Sequence, residues 1–196
     1  MIRPNDFELL LMRHGQAQSW ADGGDANRTL TESGAQAIAR AAKAFVAMGW
    51  TWTKAWSSPF ERTKQTSQII WQTLHDANLT HPYELASPVH ADELVVHADP
   101  YKTARFITKQ GHALQGPRPC VAIFGHPPNL AAVASLLLST EHVNISLGQG
   151  DIIHLFVPAP SPFDTILDPK EEEPLPKATL LGFYPRHSLE RIGLTV

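Results

Sequence analysis

The sequence predicts an α/β fold, three layers deep, with a mostly parallel central sheet and helices on both faces. Three observations carry this expectation. Phe7 to Met12 and Cys120 to Phe124 are continuous apolar runs, the pattern of strands buried on both faces of a parallel sheet. The segments between such runs carry apolar residues at helical spacing. Each run also stops abruptly at residues that bear chemistry, Arg13-His14-Gly15 after the first and Gly125-His126-Pro127-Pro128-Asn129 after the second. Open α/β sheets bind ligands at the carboxyl ends of their strands.

The elements follow in order. After the first strand, 18–28 is rich in Gly, Asp and Asn and reads as a loop. Thr31-Glu32-Ser33 opens a helix, with Thr31 as its cap and Glu32 suited to the positive end. Ile38, Ala41, Ala42, Phe45 and Val46 form its apolar face, and Gly49 ends it. Trp52 to Trp56 reads as the second strand. Ser58-Pro59 reads as a helix start, with Ile69, Ile70, Thr73 and Leu74 facing inward and Arg62 within the first turn. Tyr83 to Ala86 and Val89-His90 read as short extended pieces. Asp99-Pro100 opens a helix over Tyr101 to Leu114, its end weakened by Gly111. Gly116-Pro117-Arg118-Pro119 is a turn, and Leu130 to Leu138 a strongly apolar helix. Asp151 to Val157 is a strand, paired with a closing edge strand at Ala178 to Tyr184. The stretch between them, Pro158 to Pro176, is rich in proline and acid and reads as an extended connection.

Composition bounds the function. The chain has 196 residues, with a net charge of −3 and 43% hydrophobic residues. One domain is expected over 1–196: a core at about 7–157, the proline-rich connection at 158–176 and a C-terminal strand region at 177–196. The charge gives no basic footprint for nucleic acid and no polybasic patch for membranes. The N-terminal residues are polar and lead straight into a strand, so no signal peptide is expected, and no apolar run is long enough to span a bilayer. The single cysteine, Cys120, allows no internal disulfide and suits a cytoplasmic location.

The strand ends share one theme. The first gives Arg13 and His14, the helix after the second gives Arg62, and the strand from Cys120 gives His126; the loop before the first helix adds Arg28. Strand ends of a parallel sheet lie on one edge, so these side chains converge there. Two imidazoles and three guanidiniums around one point call for an anion, and arginine grips phosphate bidentately. A cation beside a helix N-terminus points the same way, to an anion between the two. His14 is then a nucleophile toward phosphorus and Arg13 the first member of a phosphate clamp.

Four segments match known motifs. Leu11-Met12-Arg13-His14-Gly15-Gln16-Ala17 resembles the RHG signature of the histidine phosphatase superfamily. Arg28-Thr29-Leu30-Thr31-Glu32-Ser33-Gly34, Ser57-Ser58-Pro59-Phe60-Glu61-Arg62-Thr63-Lys64-Gln65-Thr66 and Gly125-His126-Pro127-Pro128-Asn129-Leu130 resemble three further segments of that superfamily, in the same order. The similarity covers roughly Phe7 to Val157. Within the superfamily the chain looks most like the small SixA-type phosphohistidine phosphatases, although 158–196 is longer and richer in proline than that branch suggests.

The resemblance implies a phosphoglycerate mutase-like fold and a two-step hydrolysis without metal or other cofactor. His14 attacks phosphorus and is transiently phosphorylated, and water then releases phosphate. Arg13, Arg28, Arg62 and His126 hold the phosphoryl oxygens, with Gln16 beside them as a further substrate contact. Nucleophilic attack requires one His14 ring nitrogen to be free of a proton and the other fixed by a hydrogen bond, expected to be to a backbone carbonyl. Larger members use a carboxylate to protonate the leaving oxygen, a role assigned here to Glu93; a phosphohistidine substrate asks less of such an acid.

The implied partner is a phosphorylated protein or a small phosphorylated metabolite. Two other readings stay open: a mutase-like phosphotransferase, disfavoured by the lack of long insertions, and a weakly catalytic phosphate-binding module. The oligomeric state is not legible. Cys120 is expected to be buried and inert, and Trp50, Trp52, Trp56 and Trp71 to pack in or around the core. Trp20 lies in the glycine-rich loop, where an indole can cover the site entrance. His75, His81, His90, His97, His112, His142, His154 and His187 have no metal-ligand spacing.

Overall fold

The computed structural model describes residues 3–78, 85–117, 119–139, 145–160 and 174–194. His81, Tyr83, Arg118, His142 and the proline- and acid-rich stretch at 161–173 lie outside them. Among the described residues six strands form one sheet: β1 (Phe7–Arg13), β2 (Lys54–Ser57), β3 (Val89–His90), β4 (Cys120–Gly125), β5 (Ile152–Val157) and β6 (Thr179–Tyr184). Their order is β3-β2-β4-β1-β5-β6. The first four run parallel, while β5 is antiparallel to both β1 and β6.

Among the described residues five α-helices cover the faces: α1 (Glu32–Ala47), α2 (Glu61–Asp76), α3 (Pro100–His112), α4 (Asn129–Leu137) and α5 (Arg186–Gly193). The alternation along β1 sorts them. Leu10 and Met12 pack with Ile38, Ala41, Ala42 and Phe45 of α1, Ile70 and Leu74 of α2, and Leu189 of α5. Phe7, Leu9 and Leu11 pack on the opposite face with Ala104 and Ile107 of α3 and Leu130, Val133, Ala134 and Leu137 of α4. Successive strand residues point to opposite faces, and each large side chain buried this way contributes about 1.5–3 kcal/mol.

Local signals set most helix ends. Thr31 Oγ1 accepts the Gly34 N–H at 3.0 Å, capping α1, and Gly49 follows the helix at φ +65°. Asp99 Oδ1 accepts from Tyr101 N at 2.8 Å, capping α3 as expected. α2 departs from expectation: it starts at Glu61, not at Ser58-Pro59, and Phe60 is its unassisted cap residue. The Ser58 hydroxyl is instead engaged with His126. The second strand is displaced in the same direction, to Lys54–Ser57. Gly111 is the second-last residue of α3, which stops at His112, short of the expected Leu114. It is buried where a Cβ would run into the Phe7 ring, so glycine permits the helix to approach β1.

The C-terminal region holds a helix as well as the expected strand. α5 has a single large buried apolar side chain, Leu189, too little for a periodic signal. Contacts hold it down: Arg40 of α1 donates to Glu190 through Nε at 2.8 Å, and Gly193 lies against the Arg40 carbonyl.

Candidate active site

The register aligns the parallel strand ends. Arg13 stands opposite Gly125, and Ser57 opposite Phe124. His14, Ser58 and His126 therefore leave the sheet together, each one residue past its strand. The His14 N–H donates to Gly125 O at 3.2 Å, and His14 O accepts from Gly150 N at 3.1 Å. His14 is only 6% exposed. Its Nδ1 lies 2.7 Å from Gly15 O. A carbonyl only accepts, so the proton sits on Nδ1 and Nε2 carries the lone pair. This carbonyl is the fixing partner that the sequence left unnamed. Gly15 also keeps the turn close to α1, because a Cβ there would stand 2.7 Å from Ile38 Cγ1.

Arg62 meets that lone pair. Its Nε donates to His14 Nε2 at 3.2 Å. Placement in the first turn of α2 does this, and the turn is stitched to its surroundings. Thr66 Oγ1 accepts from Gly15 N at 3.1 Å and donates to Arg62 O at 2.7 Å. Arg62 N donates to Arg28 O at 3.1 Å. The guanidinium is buried and lies over the Phe60 ring, 5.0 Å from its centroid.

His126 is 2% exposed. Its Nε2 lies 2.9 Å from Ser58 Oγ and 3.2 Å from Thr63 Oγ1, so β2 and α2 both orient it. Its Nδ1 is buried without a hydrogen-bond partner. The ring centroid stands 5.1 Å from that of His14 and 5.0 Å from that of Phe60. Arg13, the last residue of β1, donates through Nη1 to Leu147 O at 2.7 Å, while its Nε is buried without a partner. Arg28 donates through Nε to Gln18 O.

The expected clustering of cations is present, and the chain supplies its own counter-charges. Asp25 Oδ2 accepts from Arg62 Nη2 at 2.9 Å and its Oδ1 from Arg28 Nη1 at 2.6 Å; its backbone carbonyl accepts from Arg62 Nη1 at 2.6 Å. Burial lowers the Arg13 pKa from its usual value, against the attraction of Asp151. The site keeps both imidazoles neutral. Burial above all, with Arg62, Arg13 and Arg28 adding to it against the Gly15 hydrogen bond, lowers His14 to about 4. Burial, then the His14 and Arg62 neighbours, lowers His126 to about 3. A neutral imidazole with a fixed Nδ1–H and a buried Nε2 lone pair is a nucleophile.

Five of the seven candidate residues therefore gather at one edge: Arg13, His14, Arg28, Arg62 and His126. Two do not join them. Gln16 is exposed, and its Oε1 accepts from Ser33 Oγ at 3.0 Å and Thr31 Oγ1 at 3.4 Å, which ties it to the start of α1. Glu93 is exposed on the 3-10 turn Asp92–Leu94 that follows β3, and its backbone carbonyl accepts from Thr103 Oγ1. No hydrogen bond joins it to either site histidine.

Sequence reasoning missed Asp25, Ser58 and Thr63 as site residues. Ser58 and Thr63 lay inside a motif already quoted, and Asp25 stands three residues before Arg28 in a turn-forming stretch. Burial raises the Cys120 thiol far above its usual pKa, so it is inert. Trp20, within the loop between β1 and α1, is 70% exposed. Among the described residues no cluster of three or more His, Cys, Asp or Glu is placed to hold a metal ion. None of the described helices is long and apolar enough to cross a membrane.

Comparison with known proteins bears on the fold and on one segment of the sequence. The sequence model of the histidine phosphatase superfamily (branch 1) matches residues 9–85. No curated protein sequence matches the chain. Among solved structures the chain is similar to the protein histidine phosphatase SixA complexed with tungstate, with TM-score 0.69, 18% identity, and 93% of this chain and 99% of that one covered. It is similar to a phosphoglycerate mutase from Bacillus anthracis str. Sterne, with TM-score 0.65, 12% identity, and 97% and 98% covered. A putative alpha-ribazole-5'-P phosphatase from Escherichia coli str. K-12 substr. MG1655 gives TM-score 0.61, 16% identity, and 92% and 98% covered. At these identities the structures show the shared fold, while the sequence match lies on the segment that holds Arg13, His14, Arg28 and Arg62. Residues 9–85 thus match the histidine phosphatase superfamily, and the fold is that of phosphohistidine phosphatases and phosphoglycerate mutase-like proteins.

Proposed function

We propose that the protein is a phosphatase that works through a phosphohistidine intermediate on His14, and that its substrate is a histidine-phosphorylated protein. One observation carries the reading. The Nδ1–H of His14 is committed to Gly15 O, which leaves the Nε2 lone pair directed at Arg62 Nε, a donor suited to a phosphoryl oxygen.

In the first step the Nε2 lone pair forms a bond to phosphorus. The bond from phosphorus to the leaving nitrogen or oxygen breaks, and the leaving group takes that electron pair and a proton from solvent. The His14 ring becomes cationic, and its Nδ1–H stays on the Gly15 carbonyl, which stabilises the charge. Arg13, Arg28, Arg62 and His126 are assigned to the equatorial oxygens, where charge develops. In the second step water attacks phosphorus, the P–Nε2 bond breaks and its electron pair returns to Nε2. Inorganic phosphate leaves.

The choice of a phosphohistidine substrate rests on three features. The SixA neighbour binds tungstate, a tetrahedral oxyanion, on the same fold. Only nine residues separate β3 from α3, too few for a large cap over the site. Glu93 is exposed, and a phosphoramidate leaving group needs little acid. A small phosphomonoester is the second reading, favoured by the similar fold of the alpha-ribazole-5'-P phosphatase. One domain over 1–196 working in the cytoplasm completes the proposal, in keeping with the lone buried cysteine.

Phosphate release from a histidine-phosphorylated protein and from a panel of phosphomonoesters, measured side by side, tests it. Turnover of the phosphoprotein with acid-labile labelling of His14, both abolished in His14→Ala, is the expected result. Preference for one ester would overturn the substrate class. Phosphate binding without turnover of either would leave a binding module.

A further inference from the structure

The loop from β1 to α1 is pinned at its base and folded back at its tip. Gln18 N donates to Thr29 O at 2.9 Å and Thr31 N to Gln16 O at 3.0 Å. The chain reverses at Gly23 and Gly24, at φ +83° and +97°, values that favour glycine. The 3-10 turn Asp25–Asn27 then returns Asp25 to the arginines. All three Asp25 oxygens are engaged there: the backbone carbonyl and Oδ2 by the two terminal nitrogens of Arg62, and Oδ1 by Arg28 Nη1.

The two partners differ in burial. The Arg62 side chain is 4% exposed, whereas that of Asp25 is 50% exposed. A half-solvated carboxylate loses little by releasing a partner, but a buried guanidinium has few other acceptors. The guanidinium is also planar, with its donors in fixed directions. With both terminal nitrogens held by Asp25, the orientation of the remaining edge is set, and that edge points Nε at His14 Nε2.

We propose that Asp25 is a positioning residue of the phosphoryl site: it holds Arg62 with its Nε edge against His14 Nε2 and fixes the spacing of Arg28 from Arg62. A phosphoryl group arriving on Nε2 then meets two cations already in place. The proposal rests on the reading of His14 as the nucleophile.

Removing the carboxylate has two opposed effects. It withdraws a negative charge from beside the phosphate seat, so a ground-state anion binds more tightly. It also loosens both guanidiniums, leaving Arg62 held at its terminal end only by the Asp25 backbone carbonyl and Arg28 only by Gln18 O, so the transition state is stabilised less. Turnover and ground-state affinity therefore move in opposite directions. A carboxylate that merely competed with substrate would, on removal, tighten binding without slowing turnover. One that merely supported the loop would lower both.

The experiment compares wild type, Asp25→Asn and Asp25→Glu. Steady-state kinetics on p-nitrophenyl phosphate give kcat and KM, and calorimetry with inorganic phosphate gives Kd. In Asp25→Asn, kcat is expected to fall about tenfold or more while phosphate Kd tightens about threefold or more. Asp25→Glu, which restores the charge one methylene further out, is expected to recover part of kcat. A kcat within twofold of wild type, or weaker phosphate binding in Asp25→Asn, overturns the role of Asp25. If wild type neither turns over nor labels on His14, the nucleophile reading falls and takes this proposal with it.

Discussion

Arg62 Nε stands 3.2 Å from His14 Nε2, donating to the one ring nitrogen that carries no proton. A guanidinium against an imidazole disfavours a second proton on that ring, so the contact keeps the nucleophile neutral. In the proposed mechanism it also puts a fixed donor beside the point where the new bond to phosphorus would form. On that proposal, neutrality of the nucleophile and stabilisation of the transition state share one residue.

Arg62→Ala is expected to lower kcat by about 10²–10³, the range for loss of one preorganised donor. Arg62→Lys is expected to recover little of this, because a point charge cannot serve both Asp25 and the His14 side. Steady-state kinetics on an aryl phosphate read both. An Arg62→Ala enzyme with near wild-type kcat would remove Arg62 from the chemistry.

The acid limb of activity is expected to report on His14. Burial first, then the charges of Arg62, Arg13 and Arg28, depress its pKa to about 4. The kcat/KM profile, which follows the free enzyme, is expected to bend near pH 4 rather than near the ordinary histidine value of about 6.5. A bound phosphoryl anion favours the imidazolium, so the corresponding limb in kcat is expected at higher pH. Coincident limbs near pH 6.5 would show a solvated His14.

Stability is expected to depend on pH through the same two rings. His14 and His126 are buried and depressed to about 4 and about 3. The unfolded chain takes up their protons near pH 6.5 and the folded one does not. Their contribution is therefore fully present above pH 6.5 and is lost as pH falls toward 4. The slope approaches about 1.4 kcal/mol per pH unit for each histidine. Denaturant melts from pH 7.5 to 4.5 measure it, and His126→Asn is expected to remove part of the slope. An unchanged slope in that variant would mean His126 titrates normally.

Glu93→Gln is expected to leave turnover of a histidine-phosphorylated protein within about twofold of wild type. The side chain is exposed, and the leaving nitrogen needs little help. A tenfold loss on small esters would instead return Glu93 to the role of acid.

Legibility in the sequence followed the physics of each feature. β1 and β4 were readable because strands buried on both faces are apolar without interruption, and α1 and α3 because Thr31 and Asp99 cap them by short-range bonds. His14, Arg62 and His126 were readable because strand ends share an edge. The start of α2 was not: Ser58 and Pro59 suit a helix start, but the Ser58 hydroxyl is engaged across the sheet with His126, 68 residues away in the chain. α5 was invisible because it rests on one leucine and on contacts to α1. Asp25 and the exposure of Gln16 were set by the folding back of a loop, which no periodicity encodes.

Ser58 carries the last expectation. His126 Nε2 is shared between Ser58 Oγ at 2.9 Å and Thr63 Oγ1 at 3.2 Å, and nothing else holds the polar side of the ring, since Nδ1 is free of hydrogen-bond partners. Among the described residues the ring's aromatic neighbours are His14 and Phe60. Removing the shorter bond lets the ring turn by tens of degrees about its χ2 axis, which has a broad minimum. Its distance to a phosphoryl oxygen then varies. Ser58→Ala is expected to lower kcat about tenfold with little change in KM, because misorientation costs more in the transition state than in the ground state. Thr63→Val, losing the longer bond, is expected to cost less, and the double variant to cost no more than His126→Ala. If Ser58→Ala raised KM instead and left kcat alone, Ser58 would be a substrate contact and not the support of His126.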